Sequence, residues 1–515
     1  MGKDSLFEKP LTRRDFISYG MKGGVVLIAT PTIASRLFTF PGEKTLEEGT
    51  IRALDEAEMK RLLSVALANG GDFAELYLEN RRNTSIRFEE GKVKSANFGI
   101  SQGAGIRVVS GNKVGYAYSD DLSFEKLKEA AKIASYIARG GGSGVEVASL
   151  VEKKLPSYIT VKVPLESVVD DRKFELVAKA DKAARAYDSR IIQVYIDYYD
   201  EVRERTIANS RGLLVRSKLP LIWFVVQALS FKDGKRHMGR KRVSEHSGFE
   251  FFNKYKVEEV AKEAAREAIA MLEAREAPAG EMPVVMANGW GGVLVHEAVG
   301  HGLEGDGIYR NTSIYAGKIG KKVASPLVTL IDDGTLPNYR GTTDFDDEGT
   351  PGERTVLIEN GVLRGYMHDL ISAKMLKMKP TGSGRRQSFR YYPIPRMRNT
   401  FLANGKHHPE EIIRATKKGL FVRALSGGSV NPATGQFNFD VREAYIIENG
   451  KIAYPVRGAT LIGRGFDVLS NVDMVGNDLA FAPGNCGKGG QWVEVTVGQP
   501  TVRVAKSIKV GGSRR

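Results

Sequence analysis

Two histidines five positions apart place the tightest constraint on how this chain can fold. In Val293-Leu294-Val295-His296-Glu297-Ala298-Val299-Gly300-His301, a glutamate directly follows the first histidine. Imidazole nitrogen binds Zn²⁺ well, and a carboxylate beside such a ligand can take a proton from metal-activated water. If both histidines hold one ion, the backbone between them cannot be a regular helix. An ideal helix of 3.6 residues per turn rotates the second side chain about 140° away from the first at this spacing. The common zinc motif, with histidines at i and i+4, keeps both on one face. The segment is therefore predicted to be a short helix that is irregular or ends at Gly300, where glycine permits an unusual backbone conformation or a π-type bulge.

Catalytic zinc usually has three protein ligands and a water. Two residues compete for the third place. Glu304 lies just beyond the second histidine, in Gly302-Leu303-Glu304-Gly305-Asp306, and Cys486, the only cysteine of the chain, lies in the glycine-rich stretch 483–491. That stretch is expected to be a loop able to bring a thiolate to a metal. It could equally bind anions through its amides and Lys488, leaving Cys486 as a buried filler. With one cysteine no intramolecular disulfide can form. The grouping suits hydrolysis, with Glu297 as general base.

The 515 residues allow two or more domains with separate cores. Helical spacing marks 54–69, 124–138, 171–187 and 257–272, and short alternating or β-branched runs mark strands at 74–78, 84–88, 92–98, 105–109, 114–118 and from 191 through 231. Residues 50–280 are read as one N-terminal α+β domain, helices on antiparallel meander sheets, in which the pattern occurs twice. The apolar run 218–230 is read as a buried strand. From 283 to 515 the glycines multiply and hairpin signals stand at Asp333-Gly334, Asn360-Gly361 and Asn449-Gly450. This C-terminal domain is expected to be mostly β, with one short metal-binding helix at about 290–302. The fold class is α+β.

Residues 1–40 carry Arg13-Arg14, Phe16 and a modest apolar stretch, the layout of a twin-arginine signal. It implies export, to a periplasmic or membrane-tethered place if the signal stays uncut; a cytoplasmic protein with an amphipathic N-terminal helix is the alternative. The formal charge of +15 is scattered and no nucleic-acid signature accompanies it, so nucleic acid is not an expected partner. Acidic peptides, anionic membrane and acidic subunits stay open.

Arg385 and Arg386, with Arg390 and Arg396, form the densest basic cluster of the second domain. They could hold a substrate carboxylate, or pair with Asp344, Asp346, Asp347 and Glu348. The stretch ending at Asn431 and the run 436–439 are read as a turn and strand near the site, able to pair with an extended peptide.

HEAVGHGLEGD at 296–306, DDEGTP at 346–351, GRRQS at 384–388, PIPRMRNT at 393–400 and GNCGK at 484–488 together resemble the TldD/PmbA family of metallopeptidases, closest to its TldD branch. The other branch typically lacks the histidines. The resemblance implies zinc on His296, His301 and Cys486, Glu297 as base, and hydrolysis of small or unfolded peptides. It also implies work in an oligomer, homomeric or with a PmbA-type subunit. A twin-arginine signal departs from the family's usual pattern. Two alternatives remain: a non-catalytic, chaperone-like peptide-binding subunit with structural zinc, and a metal-dependent hydrolase of non-peptide amides.

Overall fold

The structure is a computed structural model that describes residues 54–140 and 145–512; the predicted signal segment lies outside the described residues. The N-terminal part is a helix, three antiparallel strands and a helix, built twice. The first round is α1 (Glu56–Leu67), β1 (Phe73–Glu89), β2 (Lys92–Ser110), β3 (Lys113–Ser119) and α2 (Phe124–Ala138). After the two-residue β4 (Val151–Glu152), the second is α3 (Asp170–Arg185), β5 (Ile191–Asn209), β6 (Leu213–Lys232), β7 (Lys235–Glu245) and α4 (Val257–Leu272). β1 pairs antiparallel with β5 and joins both rounds into one sheet, in the order β3-β2-β1-β5-β6, with β7 and β4 beside β6.

Local chemistry explains these elements. α1 starts at a capping box, in which Asp55 accepts from the Glu58 amide and Glu58 reaches back. It buries Met59, Leu62, Leu63 and Ala66 on one face. In each round the closing helix lies against a glycine of the third strand. A Cβ on Gly115 would stand 1.9 Å from the Ala134 carbonyl oxygen, and one on Gly239 would stand 2.0 Å from that of Ala264. Only glycine allows this approach of helix to strand.

Four strands expected at 74–78, 84–88, 92–98 and 105–109 are two long ones, β1 and β2. The polar middle of β1 reads as an interruption, yet it stays in the sheet because its charges are paired. Glu79 accepts from Arg81 Nε at 2.8 Å, Arg203 Nε at 2.9 Å and the Tyr77 hydroxyl at 2.7 Å.

The second half holds two sheets with a helix between them. The larger sheet contains β8 (Val284–Met286), parallel to β11 (Lys418–Asn431), which pairs antiparallel with β12 (Gln436–Glu448). The smaller has β9 (Leu330–Asp333), β10 (Asn399–Leu402), β14 (Gln491–Gln499) and β13 (Ala480–Lys488) in that order. The helix α5 (Val293–Ala298) touches β11 and β12 on one side and β10 and β14 on the other. Val293, Leu294, Val295 and Ala298 join the core there; burial of each large side chain contributes about 1.5–3 kcal/mol.

The single short helix expected in this half is joined by others at Gly305–Tyr309, Leu370–Leu376, Pro409–Arg414 and Gly465–Ser470. Segments this short do not repeat an apolar face, so periodicity cannot reveal them. Asn360-Gly361 and Asn449-Gly450 are hairpin turns with positive φ at both residues. Asp333-Gly334 is not: the partners of β9 lie far along the chain, and Asp333 instead accepts from the Thr335 amide. Among the described residues no helix is long and apolar enough to cross a membrane.

Candidate metal centre

α5 stops at Ala298. Val299 leaves the helix at φ −131°, ψ −48°, and Gly300–Leu303 form a 3-10 turn. The break expected at Gly300 thus falls one residue earlier, and it turns His301 back toward His296: the ring centroids are 5.3 Å apart at 85°. Gly300 is needed for space rather than for an unusual conformation. Its φ is not positive, and a Cβ there would stand 2.1 Å from the Sδ of the buried Met397.

Cys486 comes from β13 and not from a loop. It pairs with Val493 across a hairpin closed by Gly489-Gly490, both at positive φ. Glycine at 487 serves the packing here, since a Cβ would stand 3.1 Å from the Trp492 ring. Arg396 holds this strand from behind, donating to the Cys486 carbonyl at 2.5 Å and the Gln491 carbonyl at 3.4 Å. The Cys486 Sγ lies 3.4 Å from His301 Nε2. One donor atom each from His296, His301 and Cys486 falls within 4.8 Å of the others.

Glu304 stands behind His301. Its Oε2 is 2.9 Å from His301 Nδ1 and 3.0 Å from Lys488 Nζ, and Lys488 also donates to Asp306 at 2.6 Å. Burial resists ionisation of Glu304, but Lys488 and His301 hold its carboxyl down at about 2. The same contest operates at Cys486, where burial resists the thiolate while His301 and His296 hold the thiol well below its ordinary value. Glu297 Oε2 is 3.7 Å from His301 Nε2 and its side chain is 20% exposed; burial pushes its carboxyl up. The buried Nδ1 of His296 has no hydrogen-bond partner. Two imidazoles, one with an unpaired buried nitrogen, and a thiol poised to ionise are a donor set that fits a borderline-soft transition metal.

His296, Glu297 and His301 open onto a cavity of 770 Å³, walled also by Trp290, Trp492 and Lys488. The arginines put forward for substrate contact lie elsewhere. Arg385 donates to the Met397 carbonyl at 2.7 Å, and Arg386 to the Asp347 carbonyl at 2.7 Å and to Glu75 of β1. Arg386 and Arg396 are fully buried. Asn431 caps its own turn, accepting from the Ala433 amide at 3.0 Å. None of these four lines the cavity. Its basic lining comes from Lys488 and from Arg240, Lys241, Arg242, Arg310 and Arg442, and apart from Lys488 none of them is singled out by a motif in the sequence. Alternation on one strand was the available signal for Arg240 and Arg242.

Three family models match the chain, all described as PmbA/TldA metallopeptidase: domain 1 over residues 74–138, the central domain over 163–272 and the C-terminal domain over 279–512. The metalloprotease TldD homolog of Haemophilus influenzae is 40% identical over 451 residues, covering 86% of this chain and 93% of that protein. The metalloprotease TldD homolog of Buchnera aphidicola from Schizaphis graminum is 39% identical over the same length and shares. Among solved structures, TldE from Thermococcus kodakarensis shares the fold, with a TM-score of 0.72 at 23% identity over 88% of this chain and 100% of that one. Matched along most of its length by these models and relatives, the chain belongs to the TldD/PmbA family of metallopeptidases.

Proposed function

We propose that this protein is a zinc peptidase that hydrolyses small or unfolded peptides, with zinc on His296, His301 and Cys486 and with Glu297 as general base. The observation that carries this reading is the convergence of the three donor atoms within 4.8 Å, beside a glutamate that faces the cavity. Zinc in such a site supplies Lewis acidity toward the scissile carbonyl and eases deprotonation of water. Glu297 takes the proton of the attacking water and returns it to the leaving amine. Glu304 fixes the orientation of His301 by accepting from Nδ1, which leaves Nε2 turned to Cys486. Arg396 does the same for the strand of Cys486 by holding its carbonyl.

Structural zinc in a non-catalytic peptide-binding subunit is the second reading. Such sites are normally closed by four protein ligands, whereas the group among the described residues has three. This favours a site that admits water. We also propose, from the family resemblance, assembly with itself or a PmbA-type subunit and, from Arg13-Arg14, export by the twin-arginine route.

The purified protein is expected to hold about one zinc per chain and to lose it in His296→Ala. Glu297→Gln is expected to keep the zinc and to lose peptide cleavage by about 10²- to 10⁴-fold. Full activity in Glu297→Gln would remove the base from the mechanism.

A further inference from the structure

The cavity beside the metal group contains more positive charge than its own residues neutralise. Arg240 and Arg242 stand on the same face of β7, opposite Gln227 and Val225 of β6, and both line the cavity that contains His296 and Glu297. Each has a buried Nε without a hydrogen-bond partner. Asp197 and Glu267 attract Arg240 without closing an ion pair among the described residues. Arg442, on the same wall, does stand 2.7 Å from Glu267.

The charged groups that act most strongly on Arg242 are all cationic. Its guanidinium lies 4.8 Å from the centre of the Trp223 ring, and Arg340 lies 4.9 Å from the same ring. Burial and the charges of Arg240, Arg340 and Arg442 push Arg242 down to about 9, so it remains charged at neutral pH. The carboxylates of the cavity are engaged elsewhere: Glu304 and Asp306 with Lys488, and Glu297 toward His301. This wall also adjoins the metal group. Arg340 donates to Asn485 Oδ1 at 2.7 Å and to the Gly484 carbonyl at 3.2 Å, next to Cys486. A half-buried charge without a counter-ion is costly to keep, and a planar guanidinium is built to receive a carboxylate.

We propose that Arg240 and Arg242 form a subsite for a carboxylate of the substrate, so that the enzyme selects anionic peptides. The proposal rests on the peptidase reading and adds its substrate class. The carboxylate comes from an Asp or Glu side chain or from the free C-terminus of a short peptide, and the two sources can be separated experimentally.

The test uses the zinc-loaded full chain and four fluorescein-labelled peptides of one sequence: with Glu or Gln near the cleavage position, each with a free or an amidated C-terminus. Both cleavage and equilibrium binding are measured. The preferred carboxylate is expected to raise kcat/KM and affinity by about tenfold. Loss on Glu-to-Gln exchange assigns a side chain, and loss on amidation assigns the terminus. In Arg240→Gln and Arg242→Gln the ratio of anionic to neutral peptide is expected to fall toward one. Cleavage of all four peptides at equal kcat/KM would overturn the carboxylate subsite and leave the peptidase reading standing. Preferential binding of anionic peptides without any cleavage would overturn the peptidase reading alone. A preference unchanged in both folded variants would remove these arginines from the subsite, and the comparison of peptides on the wild-type protein decides the preference even if a variant fails to fold.

Discussion

The Nδ1 of His301 lies 2.9 Å from Oε2 of Glu304, a carboxylate that also stands 3.0 Å from Lys488 Nζ. An imidazole that donates from Nδ1 keeps the lone pair of Nε2 for a metal, and such outer partners fix ring orientation and basicity. Glu304→Gln removes the negative charge and is expected to weaken metal binding by about 10- to 100-fold, measured by competition with a chelator. An unchanged affinity would show that the carboxylate does not tune the site.

Glu75 of β1 is buried between two guanidiniums, Arg107 at 2.7 Å and Arg386 of the C-terminal half. All three side chains are fully shielded from water. Glu75→Gln leaves two buried cations short of a counter-charge and is expected to cost about 3–5 kcal/mol of stability, read from denaturant unfolding. A loss below about 1 kcal/mol would mean that Glu348, 2.6 Å from Arg107, and the nearby charge of Asp347 on Arg386 suffice.

His246 is buried, with Nδ1 2.7 Å from the Pro220 carbonyl, and burial pushes its ring down from 6.5 to about 4. The folded chain therefore resists protonation that the unfolded chain accepts. As pH falls from 6.5 toward 4, the unfolded state takes up this proton first and stability drops. For one such histidine the loss is on the order of 3 kcal/mol. In His246→Gln the fall of stability across this window is expected to be shallower, as measured by unfolding at several pH values. An equal slope would assign the acid sensitivity to other groups.

Strong local periodicity was readable directly. The helices expected at 124–138 and 257–272 coincide with Phe124–Ala138 and Val257–Leu272, because an amphipathic stripe on a long helix is a property of neighbours in sequence. The strand through 79–83 was hidden, because its polar residues look like a turn until Arg203, more than a hundred positions away, supplies the ion pair to Glu79; the stretch 99–103 stays in the sheet by pairing with that same strand. Arg386 and Arg396 read as a basic cluster for the same reason: their partners, Glu75 and the Cys486 carbonyl, are remote.

By itself, then, the sequence determined the donor chemistry and one geometric demand. His296, Glu297, His301 and a lone cysteine supply candidate ligands and a candidate base, and if both histidines hold one ion the five-residue spacing requires a break in the helix, since both follow from residue type and short-range backbone geometry. Tertiary structure decided the rest. It put the break at Val299 and made Gly300 a matter of room for Met397. It brought Cys486 in on a strand, turned Glu304 onto the far nitrogen of His301 and walled the cavity with Arg240 and Arg242 in place of Arg385 and Arg386. Each of these depends on sheet pairings and packing that bring distant segments together, and no spacing along the chain encodes which buried charge will find which partner.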